Sequence, residues 1–380
     1  MLSPVHLAQA EQQLSSRAGR PVTLRAEQEL RPGRVARLAV DGLGVPSVVV
    51  KVADPDDPSR DRAAIHSELA ALELLGAVAP GVAPRLLAAE PDSGLLVLED
   101  LGDGPSLATY LAGDDPARAE AALVAWAAAL GTVHAASAGM ADSFRQRRGA
   151  LSRYDDRAER FSLRGTPLDR AQAGTSAALD ELGLPALHAA ARQDVEAIAA
   201  ELAEPGDLLV LTTGDPCPDN GRMVDGAARF FDFEAAAYRH ALLDGAHLWI
   251  PFPNCWCWRT PPPEVVDRMR SAYRARLVTG CSSVADDARF DAAAACVAGA
   301  WLLYVLCRRL PLTGDDELAR VRVLATLGAL LELPAAEATL PALVTWAAEV
   351  RTALAVRWDR PAVVDLPYPA FGGPPLAEPG

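Results

Sequence analysis

The chain has 380 residues, half of them hydrophobic, with 50 acidic against 36 basic residues and a formal net charge of −14. That length supports two lobes and a sizeable core, and that charge argues against a nucleic-acid or anionic membrane surface as partner. The opening MLSPVHLAQAEQQL lacks the basic end and apolar run of a secretory signal.

Residues 5–16 carry the spacing of a short amphipathic helix. Three strands follow, VTLRAEQEL, RVARLAV and SVVVKVA, joined by Pro-Gly and Asp-Gly turns. Across 57–75, Ile65, Leu69, Leu72 and Leu75 recur at helical spacing. APRLLAAE then leads into GLLVLEDLG, an apolar strand that ends in an acidic loop.

Beyond Leu101 the pattern turns helical. Asp115 caps a helix with Pro116 at its first position, and the apolar spacing runs to about His134. An arginine-rich polar stretch (143–170) and a helix over 184–203 come next. The pattern breaks at LLVL, a dense polar loop, and a hairpin whose turn is Asp225-Gly226 between RMV and ARFF. From about 240 the chain is helical again, ending in a Pro/Gly-rich tail. The longest uncharged run, AAAACVAGAWLLYVLC (292–307), is short for a membrane span and reads as a buried helix. Of six cysteines only Cys255 and Cys257 are close in sequence, and no zinc spacing occurs, so reduced thiols in a cytoplasmic protein are expected.

Of the 36 basic residues one is lysine, Lys51, at the end of VVVK; the other 35 are arginine. Ammonium is a compact point charge and guanidinium a planar fork, so a lone strand lysine is either a stray codon in an arginine-biased chain or a position built for the point charge. The acids concentrate elsewhere, in TTGDPCPDNGRMVDGAARFFDFE. The hairpin places Asp215 and Asn220 in the loop before it and Asp232 just after it, so all three converge at one end. A calcium loop is excluded, because its third, sixth and twelfth positions are Cys217, Asn220 and Gly226. Phosphoryl transfer needs a carboxylate at the attacking hydroxyl, a carboxylate and an amide oxygen on magnesium, and a cation on the nucleotide phosphates. Either the acids are those of a solvated surface loop, or Asp215, Asp232 with Asn220, and Lys51 held by Glu68 would supply that set.

In these motifs the chain resembles the aminoglycoside phosphotransferase and choline kinase-like families, which share the protein-kinase fold. Their loop, H-G-D-x-x-x-x-N, stands here as Thr213-Gly214-Asp215-Pro216-Cys217-Pro218-Asp219-Asn220, and their I-D-[FW]-[EG] as Phe231-Asp232-Phe233-Glu234. Asp244 in LLDGAHL matches a later family aspartate, SELAALELL the glutamate helix, and LGTVHAA the L-x-x-L-H helix. The resemblance covers about residues 20–250. It departs at Thr213 for the usual histidine, at Cys217-Pro218 for histidine-proline, and in having only Gly33 where a Gly-rich loop would lie; Arg34 beside it is a candidate phosphate contact.

The resemblance implies an α+β, protein-kinase-like two-lobed fold. Residues 1–101 would be a small β-rich nucleotide-binding lobe with one key helix, and 102–380 a large, mostly helical lobe. It implies an ATP- and Mg²⁺-dependent phosphotransferase (GTP being the other candidate nucleotide) acting on a small-molecule hydroxyl. Asp215 would be catalytic, Asn220 and Asp232 metal ligands, and Lys51 with Glu68 the phosphate site, while the backbones of Glu99 and Leu101 would meet adenine. Two rivals are a peptide Ser/Thr acceptor in a peptide-maturation complex and a non-catalytic scaffold. The stretch FPNCWCWRTPPP (252–263) reads equally as an acceptor-pocket wall and as a plug in the helical core.

Overall fold

The structure is a computed structural model that describes residues 2–54, 56, 58–163, 165–250, 252, 255–361 and 365–376, leaving aside the side chains of 58–60 and 157. Helix α1 (Pro4–Ala18) opens on Ser3, whose Oγ accepts from His6 N at 3.2 Å, and closes on Gly19 at φ 65°. Strands β1 (Thr23–Arg31), β2 (Val35–Asp41), β3 (Ser47–Val52), β4 (Leu86–Glu90) and β5 (Leu95–Glu99) form an antiparallel sheet in the order β1-β2-β3-β5-β4. Alternation along β3 sorts its side chains to two faces. Val48, Val50 and Val52 bury against α1 with Leu14, Leu38 and Val97. Val49 and Lys51 point the other way, toward helix α2 (Pro58–Val78), which connects β3 to β4.

Ile65, Leu69, Leu72 and Leu75 of α2 are all buried, as their spacing predicts. They share one apolar cluster with Leu123, Trp126 and Leu130 of a later helix, so α2 packs on both lobes and couples them.

The larger lobe contains α3 (Leu107–Ala112), α4 (Pro116–Ser137), α5 (Ala141–Leu151), α6 (Asp156–Arg160), the small pair β6 (Ser162–Leu163) and β7 (Thr166–Pro167), α7 (Leu168–Leu182) and α8 (Ala189–Ala203). Then come β8 (Leu209–Thr212), the hairpin β9 (Gly221–Val224) and β10 (Ala227–Phe230), and β11 (Ala237–His240). The rest is helical: α9 (Leu242–Gly245), α10 (Pro263–Leu277), α11 (Asp287–Arg309), α12 (Glu317–Leu331), α13 (Ala336–Thr339) and α14 (Pro341–Trp358). Asp115 caps α4 by accepting from Arg118 N at 3.1 Å. Asp225 and Gly226 both take positive φ (51° and 79°), as a two-residue hairpin turn requires. This is the two-lobed, protein-kinase-like α+β fold.

Several details differ from the sequence reading. The polar stretch 143–170 runs through most of α5, all of α6 and the β6–β7 pair, and into the start of α7. The helix expected from 184 starts at Ala189. Strand β11, which no alternation announced, pairs antiparallel with β8. Among the described residues two helices, 116–137 and 287–312, are long and apolar enough to cross a membrane, but the second is mostly buried within the protein. The 252–263 stretch is a plug rather than a pocket wall: Phe252, Cys255, Cys257 and Trp258 are buried, while Pro253 and Asn254 lie outside the described residues. Cys217 and Cys255, 38 residues apart, are brought together at a Cα–Cα distance of 6.1 Å, within the reach of a disulfide. Nothing local in the sequence shows that these two loops meet.

Candidate active site

Lys51 ends the cleft-facing row of β3 and is buried. Its ammonium lies 2.6 Å from Glu68 Oε2, 2.7 Å from Asp232 Oδ1 and 2.8 Å from Glu234 Oε1. Burial alone would lower its pKa, but the carboxylates of Glu68, Asp232 and Glu234 outweigh burial and raise it, so the ammonium is permanently charged. Burial pushes the Glu68 carboxyl up, against the pull of Lys51. Asp232 goes the other way: burial raises it, and Lys51 more than compensates, holding it below the usual carboxylate range.

Asp232 has φ 67°, in the left-handed region. A non-glycine residue there costs energy and persists only where the surroundings impose it. Here the imposing contacts are visible on either side. Phe231 N donates to Asn220 O at 3.0 Å, and Phe233 N donates to Glu68 Oε1 at 3.3 Å. Asn220 Nδ2 in turn donates to Asp215 O at 3.0 Å, which fixes the amide and leaves its Oδ1 as the free end of the group. The sequence-predicted Lys51, Glu68, Asn220 and Asp232 are thus brought together by hydrogen bonds, and Asp215 lies on the same loop.

Asp215 follows β8 through Gly214, at φ 77°. A Cβ on Gly214 would fall 2.3 Å from Ala235 O, so glycine is required where the loop passes under Ala235. The loop hangs from Asp244 of α9. Asp244 Oδ2 accepts from Thr213 N at 2.6 Å and Thr213 Oγ1 at 2.9 Å, and Oδ1 accepts from Gly214 N at 3.3 Å. Burial raises the Asp244 carboxyl, but His134 and these donors lower it further, and the net shift is downward. His134 Nε2 stands 3.8 Å from Asp244, beyond direct hydrogen-bond reach, while its Nδ1 meets Tyr273 Oη at 2.9 Å.

Asp215, Asp232 and Glu234 line a cavity of about 710 Å³. Its other walls include Ser67 of α2, Arg148 of α5 and Tyr154 just before α6. Arg148 is fixed by Ser67 Oγ at 3.0 Å and Ala63 O at 2.9 Å, and lies 5.3 Å over the Tyr154 ring. Tyr154 Oη is buried without a hydrogen-bond partner, and burial pushes its pKa upward. Sequence reading missed these wall residues, at which only the arginine density of 143–170 hinted; it named Glu234 within the metal-binding 232–234 motif but not its ion pair with Lys51.

At the far end, Glu99 closes β5, and its N–H is committed to Arg85 O at 2.9 Å. What Glu99 and Leu101 offer a base therefore excludes that donor. Arg34 does not reach into open space: it binds Asp61 at 2.6 Å and lies 3.6 Å from Glu234. Arg37 pairs with Asp100 at 2.7 Å and with Asp103, pinning the loop after β5.

A strand ammonium held by three carboxylates from two segments, at the mouth between a small sheet and a large helical lobe, defines a kinase-like phosphotransferase. The chain belongs to the phosphotransferase enzyme family (APH), whose pattern it matches over residues 32–281. Among solved structures it is similar to a choline/ethanolamine kinase family protein from Mesorhizobium loti (16% identity, TM-score 0.43, covering 85% of this chain and 92% of that one). It is also similar to a choline kinase from Cryptosporidium parvum (14%, 0.47, 85% and 93%). A third is a macrolide 2'-phosphotransferase from Brachybacterium faecium (19%, 0.39, 86% and 98%). No curated protein matches the chain.

Proposed function

We propose that the chain transfers the γ-phosphoryl group of ATP to a hydroxyl of a small molecule. The observation that carries this reading is that Asp215 and Asp232 line one cavity, with Lys51 and Glu68 buried behind Asp232 in an ion-pair chain and Asn220 bonded to the Asp215 backbone. In this reading residues 1–101 hold the nucleotide. Lys51, positioned by Glu68, binds its phosphates, and the Glu99 carbonyl and Leu101 backbone face its base. Asp215 accepts the proton of the acceptor hydroxyl, or orients it, as the oxygen attacks the γ-phosphorus.

The donor set fits Mg²⁺. A carboxylate on Asp232 and a fixed amide oxygen on Asn220 are hard oxygen ligands, and few protein ligands suffice where phosphates and water complete the shell. Asp232 and Asn220 would hold the ion, which would supply Lewis-acid charge against the negative charge developing in the transfer. A cavity of about 710 Å³ is the size of a small-molecule site, which favours such an acceptor over a peptide.

Calorimetric titration with a non-hydrolysable ATP analogue tests this reading. Binding is expected with Mg²⁺ and is expected to weaken sharply without it or in Asp232→Asn. Equal binding in all three would remove Asp232 from the metal role; no binding at all would favour a scaffold.

A further inference from the structure

The plug formed by residues 252–263 leaves one feature that phosphotransfer does not use. Cys217 sits in the polar loop between Asp215 and Asn220, flanked by two prolines. Cys255 and Cys257 sit in the plug, where a turn is closed by Cys255 N donating to Phe252 O at 3.0 Å and Trp258 N to Cys255 O at 3.3 Å. The three Sγ atoms all lie within 4.8 Å of one another, and all three residues are buried. A tetrahedral zinc ion with Zn–S bonds of about 2.3 Å needs sulfurs roughly 3.8 Å apart, a spacing open to this triad once Cys217 and Cys255 are reduced and their sulfurs part by rotation about the Cα–Cβ bonds.

The surroundings suit a cation bound by anions. Asp219 lies on the same loop; its Oδ2 accepts from Trp256 Nε1 at 2.9 Å, and its Oδ1 is buried without a partner. The guanidinium groups of Arg259 and Arg322 lie close enough for their charge to act on Cys257. Arg322 also packs 5.4 Å over the Trp258 ring. Three thiolates and Asp219 carry four negative charges. A divalent ion and two guanidiniums balance them, so the buried group is neutral. Without a metal, burial and the Asp219 charge push the Cys257 thiol up to about 12, which keeps it protonated.

We propose that Cys217, Cys255 and Cys257 form a thiolate site for Zn²⁺, with its fourth position toward Asp219, and that the Cys217–Cys255 disulfide is the oxidised, metal-free state of the same site. Two molecules of a small thiol of the glutathione class reduce the disulfide. They give up two electrons and two protons to the cysteine sulfurs and leave as their own disulfide. Zn²⁺ then replaces the three thiol protons, which pass to solvent. The bound ion ties the Asp215–Asn220 loop to the plug. This inference is independent of the acceptor and of the nucleotide.

The test uses the full-length, reduced, metal-stripped chain under anaerobic conditions, with Co²⁺ as probe. One equivalent is expected to give thiolate-to-cobalt charge-transfer absorption and the visible bands of a tetrahedral ion, both lost on adding Zn²⁺. Cys257→Ser is expected to lose the charge-transfer intensity of one sulfur and to bind Zn²⁺ more weakly. Cys307→Ser, outside the cluster, is expected to behave as wild type. No charge-transfer band in the folded, reduced protein, or an unchanged spectrum in Cys257→Ser, overturns the proposal. Where Cys257→Ser fails to fold, alkylation of the wild type read by peptide mass spectrometry decides. Zn²⁺ is expected to protect residues 217, 255 and 257 together, and equal labelling with and without Zn²⁺ refutes the site.

Discussion

Replacing Lys51 with methionine keeps the length of the side chain and removes its charge. Glu68, Asp232 and Glu234, now 2.6–2.8 Å from the ammonium, would then face one another without a cation. Breaking a buried ion pair by deleting one partner costs about 3–5 kcal/mol, and three carboxylates share this partner. The upper half of that range is expected in urea unfolding. The pH dependence has a definite sign. Burial already raises the folded-state Glu68 pKa above its unfolded value, and losing Lys51 raises it further. The folded state then binds more protons than the unfolded one between those two values, so stability falls as pH rises through that window. The deficit of Lys51→Met is therefore smallest below the unfolded Glu68 value and grows as pH rises through the raised folded value. Adding Glu68→Gln removes one uncompensated charge and is expected to restore part of the stability above that window. Nucleotide affinity is expected to stay about 10- to 100-fold down in both variants, the worth of a charge-assisted contact to phosphate. A deficit that does not vary with pH, or a double variant less stable than the single, would refute this account of the cluster.

Other perturbations separate the remaining parts of the site. Asp215→Asn is expected to abolish turnover while binding the ATP analogue normally; retained turnover would remove Asp215 from the catalytic role. Thr213→Val deletes the hydroxyl that donates to buried Asp244, at an expected cost of about 1–3 kcal/mol, with Thr213→Ser restoring it in the same unfolding assay. Gly214→Ala puts a Cβ against Ala235 O at positive φ; it is expected to lower turnover by displacing Asp215, read as reduced kcat at saturating ATP. Gly131→Ala would push α4 off Tyr273, whose carbonyl lies 2.5 Å from the added carbon. It is expected to lower the thermal midpoint with little effect on nucleotide affinity.

The sequence made some of this legible for physical reasons. Lys51 stood out because it is the one lysine, and the β-branched run before it sets its strand and hence its face. Glu68 follows because helical spacing puts it one turn after Ile65 on the packed side of α2. The hairpin announced itself through Asp225-Gly226, a local signal. What was hidden depends on topology. Asp244 and Thr213 are 31 residues apart, and Cys217 and Cys255 are 38 apart; no local pattern encodes either meeting. Helix α7 buries Leu168, Ala171, Thr175, Ala178 and Leu179. That face is correctly spaced but built largely of small residues, so it merged into the polar stretch before it. Strand β11 is four residues long and wholly buried, which removes the alternation that reveals a strand.

The substitution of Thr213 for the family histidine has a structural answer in how the loop is held. Two of the donors to Asp244 are backbone N–H groups, those of Thr213 and Gly214, which any residue at 213 would supply. The side chain adds a third through Oγ1. An imidazole is nonetheless present beside Asp244: His134 from α4, with Tyr273 of α10 fixing its other nitrogen. Gly131, one turn before His134, lets α10 approach closely enough for that contact. The position of Asp215 is therefore set by a buried carboxylate and main-chain donors, with His134 packed 3.8 Å from that carboxylate. Because the folded state holds the Asp244 carboxyl below its unfolded value, this brace is fully formed above the ordinary aspartate range and is lost as pH falls through the lowered folded value. The loop that carries Asp215 thus tolerates a change at residue 213 far better than a change at Asp244.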